Sequence, residues 1–419
     1  MAVDRLTLSR SHKSLDGTVR LTGSKSESNR ALVIRALHGD SVRIENLSEA
    51  ADTVTLNEAL ASVAGATESG QPVVIDIGPA GTAMRFLSAF LSVTPGEYTL
   101  TGSARMQQRP IGVLVDALRQ LGARIEYASN EGFPPLSIAG GFTQQTDTVH
   151  IRGDVSSQYL SALLLIAGSL PQGIELRIDG ELTSRPYVTM TLDMLAEAGI
   201  AHTWTEDNIR IAPQPATPCT LYIEPDWSAA SYWYSMVALG ETGSSIFLPG
   251  LRSSSLQGDK AIVDVMKHLG VATVFEDDGI RITKTGTVSD TTHFDFTECP
   301  DLAQTVVVCA AALQRDLSFS GLHTLRIKET DRIAALQNEL AKFNVQLLET
   351  DNEVFELRSA GLTAPQQLVI DTYEDHRMAM AFAPLALVFD QVGVAEPNVV
   401  EKSYPDFWNH LKEQGFVIT

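Results

Sequence analysis

DVMKHLGVATVFEDDGIRIT, residues 264–283, reads as a helix end, a left-handed cap and a hairpin. The apolar residues of DVMKHL follow helical spacing, and Gly270 stands where a helix C-cap favours a residue that tolerates positive φ. From Val271 onward apolar and polar residues alternate, with Asp278 and Gly279 supplying a tight turn. The same order returns in ALRQLGARIEYASNEGFPPLSI (117–138), DMLAEAGIAHTWTEDNIRIA (193–212) and NELAKFNVQLLETDNEVFEL (338–357). Weaker copies are ALASVAGATES (59–69) and HLKEQGFVIT (410–419). The junction residues Gly122, Gly199, Gly270, Asn344 and Gly415 follow one another at roughly 70 to 80 residues, with Gly65 somewhat closer to the next. Helix, glycine and hairpin in series are common in α/β proteins. A spacing that persists along almost the whole chain predicts instead six copies of one unit, in an α/β fold of two domains with three units each. PQPATP (213–218), with three prolines near the midpoint, is the best candidate linker by composition.

The length of 419 residues with 44% hydrophobic content exceeds what one core usually fills, so two domains are also the expectation from size. The chain has 31 Lys+Arg against 51 Asp+Glu, a formal charge of −20, which would repel a nucleic-acid backbone. Small anions drawn into a cleft by a few local cations remain compatible with it. Cys219, Cys299 and Cys309 contain no CxxC pair, which argues against a disulfide framework and a structural zinc site and favours a reducing, cytoplasmic setting. The N-terminal stretch lacks the pattern of a secretory signal. The longest apolar runs, near 162–167 and 383–389, are too short to cross a bilayer, so a soluble protein without a membrane partner is expected.

The cations of this acidic chain concentrate in a few runs. GSKSESNR (23–30) precedes a helical pattern, after a short strand-like stretch at 18–21, so Lys25, Arg30 and the Ser24, Ser26 and Ser28 hydroxyls gather at a helix N-terminus suited to an anion. It is not a P-loop, because the second glycine before the lysine is missing. AGTAMRF (80–86) is a tight glycine turn opening a helix, and Gly81 allows close approach to the backbone. In RMQQRPIGVLVDAL (105–118) Pro110 fits a first helical turn with Arg109 at its mouth, and Ser156, Ser157 and Gln158 precede a strongly apolar helix. Each of these also fits an ordinary capped or solvated helix start. RIKETDRI (326–333) packs Lys328, Glu329, Asp331 and Arg332 into one run more densely than a solvated helix face needs. YEDHRMAM (373–380) carries Asp375, His376 and Arg377 directly into an apolar helix, at the edge of a core; a buried structural ion pair is the alternative reading.

Together GSKSxSNR, AGTAMR, RPIGxLVDAL, SSQ, KETDR and DHRMAM, in this order and over essentially the full length, resemble the 5-enolpyruvylshikimate 3-phosphate synthase family of enolpyruvyl transferases. The resemblance implies transfer of the carboxyvinyl group of phosphoenolpyruvate to the 5-hydroxyl of shikimate 3-phosphate, a step toward chorismate and the aromatic amino acids. It implies an α/β (α+β) fold of two domains, each of three βαβαββ units in an inside-out α/β barrel, with the active site in the interdomain cleft. The domains so implied are residues 1–22 with 225–419, and residues 23–224. No metal or organic cofactor is expected, and a monomer is. The positions matching the family's sites assign shikimate 3-phosphate to Lys25, Ser26, Arg30, Ser156, Ser157, Gln158, Ser184, Tyr187, Asp301 and Lys328. They assign phosphoenolpyruvate to Lys25, Gly81, Arg109, Gln158, Arg332, Arg377 and Lys402. Asp301 is the implied base, and Glu329 and Lys25 are the implied proton carriers.

Two departures stand out: Pro79 where the family commonly has Asn, and Phe86 where it commonly has Pro. The first removes a side-chain contact to phosphoenolpyruvate and the second bears on the Gly81 turn, so altered affinity for glyphosate, the inhibitor that takes the phosphoenolpyruvate position, is expected. Thr22, where Pro is usual, is a minor change. The alternatives are the sister transferase acting on UDP-N-acetylglucosamine, which generally uses a loop cysteine, and a catalytically inactive anion-binding protein.

Overall fold

A computed structural model describes residues 5–66, 72–350 and 353–419. The hairpins form where polar turns interrupt alternating apolar residues: Arg124–Tyr127 with Leu136–Gly140, Thr203–Thr205 with Asn208–Ile211, Val271–Glu276 with Gly279–Lys284, and Gln346–Thr350 with Val354–Arg358. The residue closing the preceding helix is left-handed each time: Gly122, Gly199, Gly270 and Asn344 have φ of 110°, 82°, 86° and 60°. Gly65 departs from this pattern, because it lies within the helix Ala51–Ala66. In the third hairpin Glu276 pairs with Gly279, so the turn residues are Asp277 and Asp278 and not Asp278 and Gly279. Gly279 has a different role. A Cβ there would stand 2.5 Å from the Leu248 carbonyl oxygen, so the glycine lets two strands close up.

A parallel pair extends each hairpin in one fixed order. Val73–Asp76 runs parallel to Gly96–Thr101, which pairs antiparallel with Leu136–Gly140 and through it with Arg124–Tyr127. The order repeats in Thr148–Arg152, Ile174–Asp179, Asn208–Ile211 and Thr203–Thr205. It repeats again in Asp16–Thr18, Ser245–Pro249, Gly279–Lys284 and Val271–Glu276, and in His293–Asp295, Ser318–Ser320, Val354–Arg358 and Gln346–Thr350. The strand-like stretch placed at 18–21 is thus the strand Asp16–Thr18. In the fifth sheet, Leu368–Ile370, Val392–Ala395, Arg5–Ser9 and Val417–Ile418, the third strand comes from the opposite end of the chain. The sixth shows two strands among the described residues, Val42–Glu45 parallel to Cys219–Tyr222. The described residues therefore form six small sheets, none closed on itself.

The chain divides into two compact units: one of the residues up to Thr22 with Glu224–Thr419, the other Gly23–Ile223. PQPATP lies inside the second unit, between the strands Asn208–Ile211 and Cys219–Tyr222, so it is not the crossing point. Its prolines join two sheets of one unit, where no ladder N–H is needed.

Each unit is built on three largely buried helices, apolar on nearly every side except in Lys25–His38, whose first two turns bury polar residues among them Glu27, Asn29 and Arg30. In Gly23–Ile223 these are Lys25–His38, Gly81–Val93 and Ser157–Ala167. In the other unit they are Trp227–Leu239, Ala303–Ala312 and His376–Phe382. Four of the anion-type runs of the sequence, at Lys25, Gly81, Ser157 and His376, are starts of these helices, while RIKETDRI leads into Arg332–Ala341 and RMQQRPIG into Gly112–Leu121. Burial of the helix bodies holds those starts rigidly, and it is this that positions the side chains described next.

Candidate active site

In the unit Gly23–Ile223 the helix starts named from the sequence carry Lys25, Gly81 and Ser157, with Glu27 and Asp52 as the acids of neighbouring first turns. Ser24 caps Lys25–His38, accepting from the Glu27 amide, and Lys25 in the first turn lies 3.1 Å from the Asp52 carboxylate. Arg30, one turn on, is 2% exposed and ties three helices together. Its Nε donates to Thr191 Oγ1 (2.7 Å), Nη1 to the Ser26 carbonyl (2.9 Å), and Nη2 to Ser161 Oγ and the Tyr187 carbonyl (3.1 Å each). Four of its five N–H donors are so used. Burial lowers its pKa to about 10, against Tyr187 and Glu27, which raise it, so it remains charged at neutral pH. Phe86 lies against this arginine, with the ring centroid 5.5 Å from Arg30 Cζ. Its reach is thus toward Arg30, from within the buried body of Gly81–Val93.

Gly81 and Arg109 meet directly. A Cβ on Gly81 would stand 2.7 Å from Arg109 Nη1, so only glycine lets the guanidinium lie over this helix start. Gln158 joins them from the first turn of Ser157–Ala167, donating through Nε2 to Thr82 Oγ1 at 3.4 Å. Ser156 caps that helix and Ser157 is buried beneath it. The helix after Arg109 begins at Gly112, not at Pro110, whose carbonyl instead accepts from Tyr159 Oη (2.6 Å) and Arg85 Nη2 (3.2 Å). Ser184 precedes Arg185–Glu197 in a left-handed conformation, φ 55°, and its hydroxyl makes no cap bond. Such a conformation in a non-glycine residue is costly and is typical of functional positions. Tyr187 follows in the first turn.

In the other unit the helix starts carry aspartates: Asp226, Asp301 and Asp375. Two of these hold arginines. Arg332, 2% exposed, donates Nε to Asp375 Oδ2 (2.7 Å), Nη1 to Asp301 Oδ1 (2.9 Å) and Nη2 to Glu329 Oε2 (2.9 Å). Arg377 donates Nη2 to Asp301 Oδ2 at 3.0 Å and Nη1 to Tyr232 Oη at 3.3 Å. Lys402 Nζ reaches Glu329 Oε1 at 2.9 Å, and Lys328 Nζ lies 3.7 Å from Asp301 Oδ1. Burial is the largest influence on Asp301 and opposes its charge, yet Arg377, Lys328 and Arg332 together outweigh it and hold the carboxyl well below the usual range. For Arg332 burial is likewise outweighed, by Asp375, Glu329 and Asp301, and its pKa is raised. The cluster is a linked set of four cations and three carboxylates, and an anion could exchange with a carboxylate at either arginine.

The site residues named from the sequence thus fall in both units: Asp301, Lys328, Glu329, Arg332, Arg377 and Lys402 in one bonded cluster, and the others at or beside helix starts of Gly23–Ile223. Sequence reasoning assigns no site role to Asp375, Tyr232 or Ser228, the last with its hydroxyl oxygen 3.4 Å from Arg377 Nη2. Asp375 stands within a quoted motif, and its strength as a holder of Arg332 shows only in three dimensions. Ser228 and Tyr232 sit in SAASYWYSMVAL, whose pattern signals only a buried helix. No thiol stands in an exposed loop: Cys219 opens the strand Cys219–Tyr222, and Cys299 and Cys309 are buried, burial pushing both thiols up. Among the described residues no group of three or more His, Cys, Asp or Glu is arranged for a metal ion, and no helix is long and apolar enough to cross a membrane.

A family model described as EPSP synthase (3-phosphoshikimate 1-carboxyvinyltransferase) matches residues 9–411. A Bacteroides fragilis protein named 3-phosphoshikimate 1-carboxyvinyltransferase is 48% identical over 406 residues, 96% of either chain. One of the same name from Erwinia tasmaniensis is 35% identical over 421 residues, covering 95% of this chain and 96% of its own. Among solved structures, an EPSP synthase from Acinetobacter baumannii matches with a TM-score of 0.77 at 20% identity over 99% of each chain. An enolpyruvyl transferase from Streptomyces tendae matches at 0.74 and 15% identity, over 100% of this chain and 99% of that one. At these identities the two structures speak to the fold.

Proposed function

This chain belongs to the EPSP synthase (3-phosphoshikimate 1-carboxyvinyltransferase) family, and from that membership we propose which of its residues carry the reaction. The enzyme acts on phosphoenolpyruvate and shikimate 3-phosphate, moving the carboxyvinyl group of the former to the 5-hydroxyl of the latter and releasing phosphate. The observation that supports the assignment is the Arg332 guanidinium, which bonds two of the three implied proton-transfer groups, Asp301 and Glu329, while Arg377 and Lys402 bond the other carboxylate oxygen of each.

Shikimate 3-phosphate is assigned to Lys25, Ser26, the remaining N–H of Arg30, Ser156, Ser157, Gln158, Ser184 and Tyr187, with Asp301 and Lys328 at its reacting hydroxyl. Phosphoenolpyruvate is assigned to Lys25, Gly81, Arg109, Gln158, Arg332, Arg377 and Lys402. The forked arginines suit its flat carboxylate and the lysines the rounder charge of its phosphate.

Asp301 takes the proton of the 5-hydroxyl as that oxygen bonds to C2 of phosphoenolpyruvate, and Glu329 or Lys25 delivers a proton to the methylene carbon. The product is a tetrahedral ketal. Loss of phosphate with return of one methyl proton then regenerates the vinyl group. Asp301 is a weak base while its oxygens face Arg332, Arg377 and Lys328. Substrate anions that take over those cations raise its proton affinity at the moment it is needed. The enzyme is taken to act as a monomer, and in the cytoplasm, the reducing compartment that its free cysteines favour.

Phosphate release by the purified protein should require both substrates together. Release from phosphoenolpyruvate alone, or none with both, would overturn the assignment.

A further inference from the structure

RSSSLQGDK (252–260) is a polar segment to which the reaction above gives no role. It is fastened to the start of the buried helix Trp227–Leu239 at several points. Gln257 Oε1 accepts from the Trp227 amide at 2.8 Å, and its Nε2 donates to the Pro225 carbonyl at 2.9 Å. The Arg252 amide donates to Glu224 Oε1 at 2.8 Å. The fastening ends at Asp259, only 3% exposed, whose Oδ2 accepts a hydrogen bond from Ser228 Oγ. Ser228 Oγ in turn lies 3.4 Å from Arg377 Nη2, the nitrogen that also donates to Asp301.

The polarity of this chain is set by chemistry. A serine hydroxyl has one proton, and a carboxylate only accepts, so the Ser228 proton goes to Asp259. The lone pairs of Ser228 are left facing Arg377, whose guanidinium only donates. Asp259 therefore dictates, through one hydroxyl, which way the acceptor beside Arg377 points. This restraint is independent of Asp301. When a substrate carboxylate displaces Asp301 from Arg377, the contacts to Ser228 and Tyr232 stay behind to hold the guanidinium in place.

We propose that Asp259 and Ser228 are positioning residues that preorganise Arg377 for the carboxylate of phosphoenolpyruvate. The proposal rests on the assignment of Arg377 to that substrate. Neither residue touches substrate. Their effect falls on the affinity for one of the two substrates, and it passes through a single hydroxyl.

The test is steady-state kinetics on Asp259→Asn, Ser228→Ala, Ser228→Thr and the Asp259→Asn/Ser228→Ala pair, with binding of shikimate 3-phosphate alone measured by calorimetry. Each of the first two variants should raise KM for phosphoenolpyruvate about tenfold, with kcat changed much less. The pair should do no worse than either single variant, because both break one linkage. Ser228→Thr, which keeps a hydroxyl, should restore most of the affinity, and shikimate 3-phosphate should bind all four with wild-type affinity. A wild-type KM for phosphoenolpyruvate in Ser228→Ala and Asp259→Asn overturns the proposal, and so do additive effects in the pair. Parallel weakening of shikimate 3-phosphate overturns it too, by making the residues merely structural. Should Asp259→Asn not fold, Ser228→Ala against Ser228→Thr decides alone. An inactive wild type would instead overturn the parent assignment, which separates the two failures.

Discussion

Asp301 shows how one residue's surroundings set both stability and chemistry. Its carboxyl is held well below the ordinary range: burial, the largest influence, opposes the charge, and Arg377, Lys328 and Arg332 together overcome it. A depressed folded-state pKa contributes stability that is complete above the unfolded value, about 3.9, and is lost as the pH falls through the folded one. The wild type should therefore exceed Asp301→Asn in unfolding free energy at neutral pH, and the gap should narrow below about pH 4 by at most about 1.4 kcal/mol per pH unit. Urea titrations from pH 7 to pH 3 measure it; a gap constant over that range would mean Asp301 is not held low. Phe86 acts on another site residue. Its ring faces Arg30, the residue proposed to hold shikimate 3-phosphate, while Pro79 stands next to the Gly81 turn where the family commonly has Asn. Glyphosate should inhibit this enzyme with an inhibition constant different from that of relatives bearing Asn and Pro; an equal constant would show that neither departure matters.

At the scale of elements, the helix Arg332–Ala341 works at both ends. Arg332 at its start bonds Asp375, and Glu339 near its end is fully buried and holds the turn that delivers Asp375. The Tyr373 hydroxyl donates to Glu339 Oε1 at 2.7 Å and the Asp371 amide to Oε2 at 3.0 Å. The turn needs such holding, because Tyr373 and Glu374 are both left-handed, with φ of 55° and 57°, at a cost of roughly 1–3 kcal/mol each. Removing the hydroxyl leaves the strain and takes one donor from a buried carboxylate. Tyr373→Phe should lower stability by about 1–2 kcal/mol in urea unfolding and weaken phosphoenolpyruvate more than shikimate 3-phosphate. Unchanged stability would show that the turn is held some other way.

For the whole molecule, the decisive fact is that the chain leaves one unit at Thr22 and returns to it at Glu224. The strand Arg5–Ser9 sits between Val392–Ala395 and Val417–Ile418, so one sheet joins residues from opposite ends of the sequence. Leu8 on that strand is wholly buried. Leu8→Asp places a charge in an apolar core, and amide exchange protection should fall in Leu368–Ile370, Val392–Ala395 and Val417–Ile418 while the strands within Gly23–Ile223 keep theirs. Equal loss in both units would mean that they unfold as one.

Caps, hairpins and apolar helices were legible in the sequence because each depends on neighbours in the chain. Gly199 and Asn344 take left-handed backbone whatever lies far away, and alternation marks a strand by itself. The cations and acids of the two groups were legible too, since a chain of net charge −20 does not gather Lys and Arg in short runs without local cause. The pairing of those charges was not. Arg332 and Asp375 are 43 residues apart, Arg30 and Thr191 are 161, and Ser228 lies in a stretch that looks like core alone. Bonds of this kind depend on separations of a few tenths of an ångström between distant segments, and local pattern carries no such information. The sequence alone determined the repeat and the kinds of group at the site; only the tertiary structure decided which carboxylate each guanidinium faces, because packing of the buried helices sets those distances.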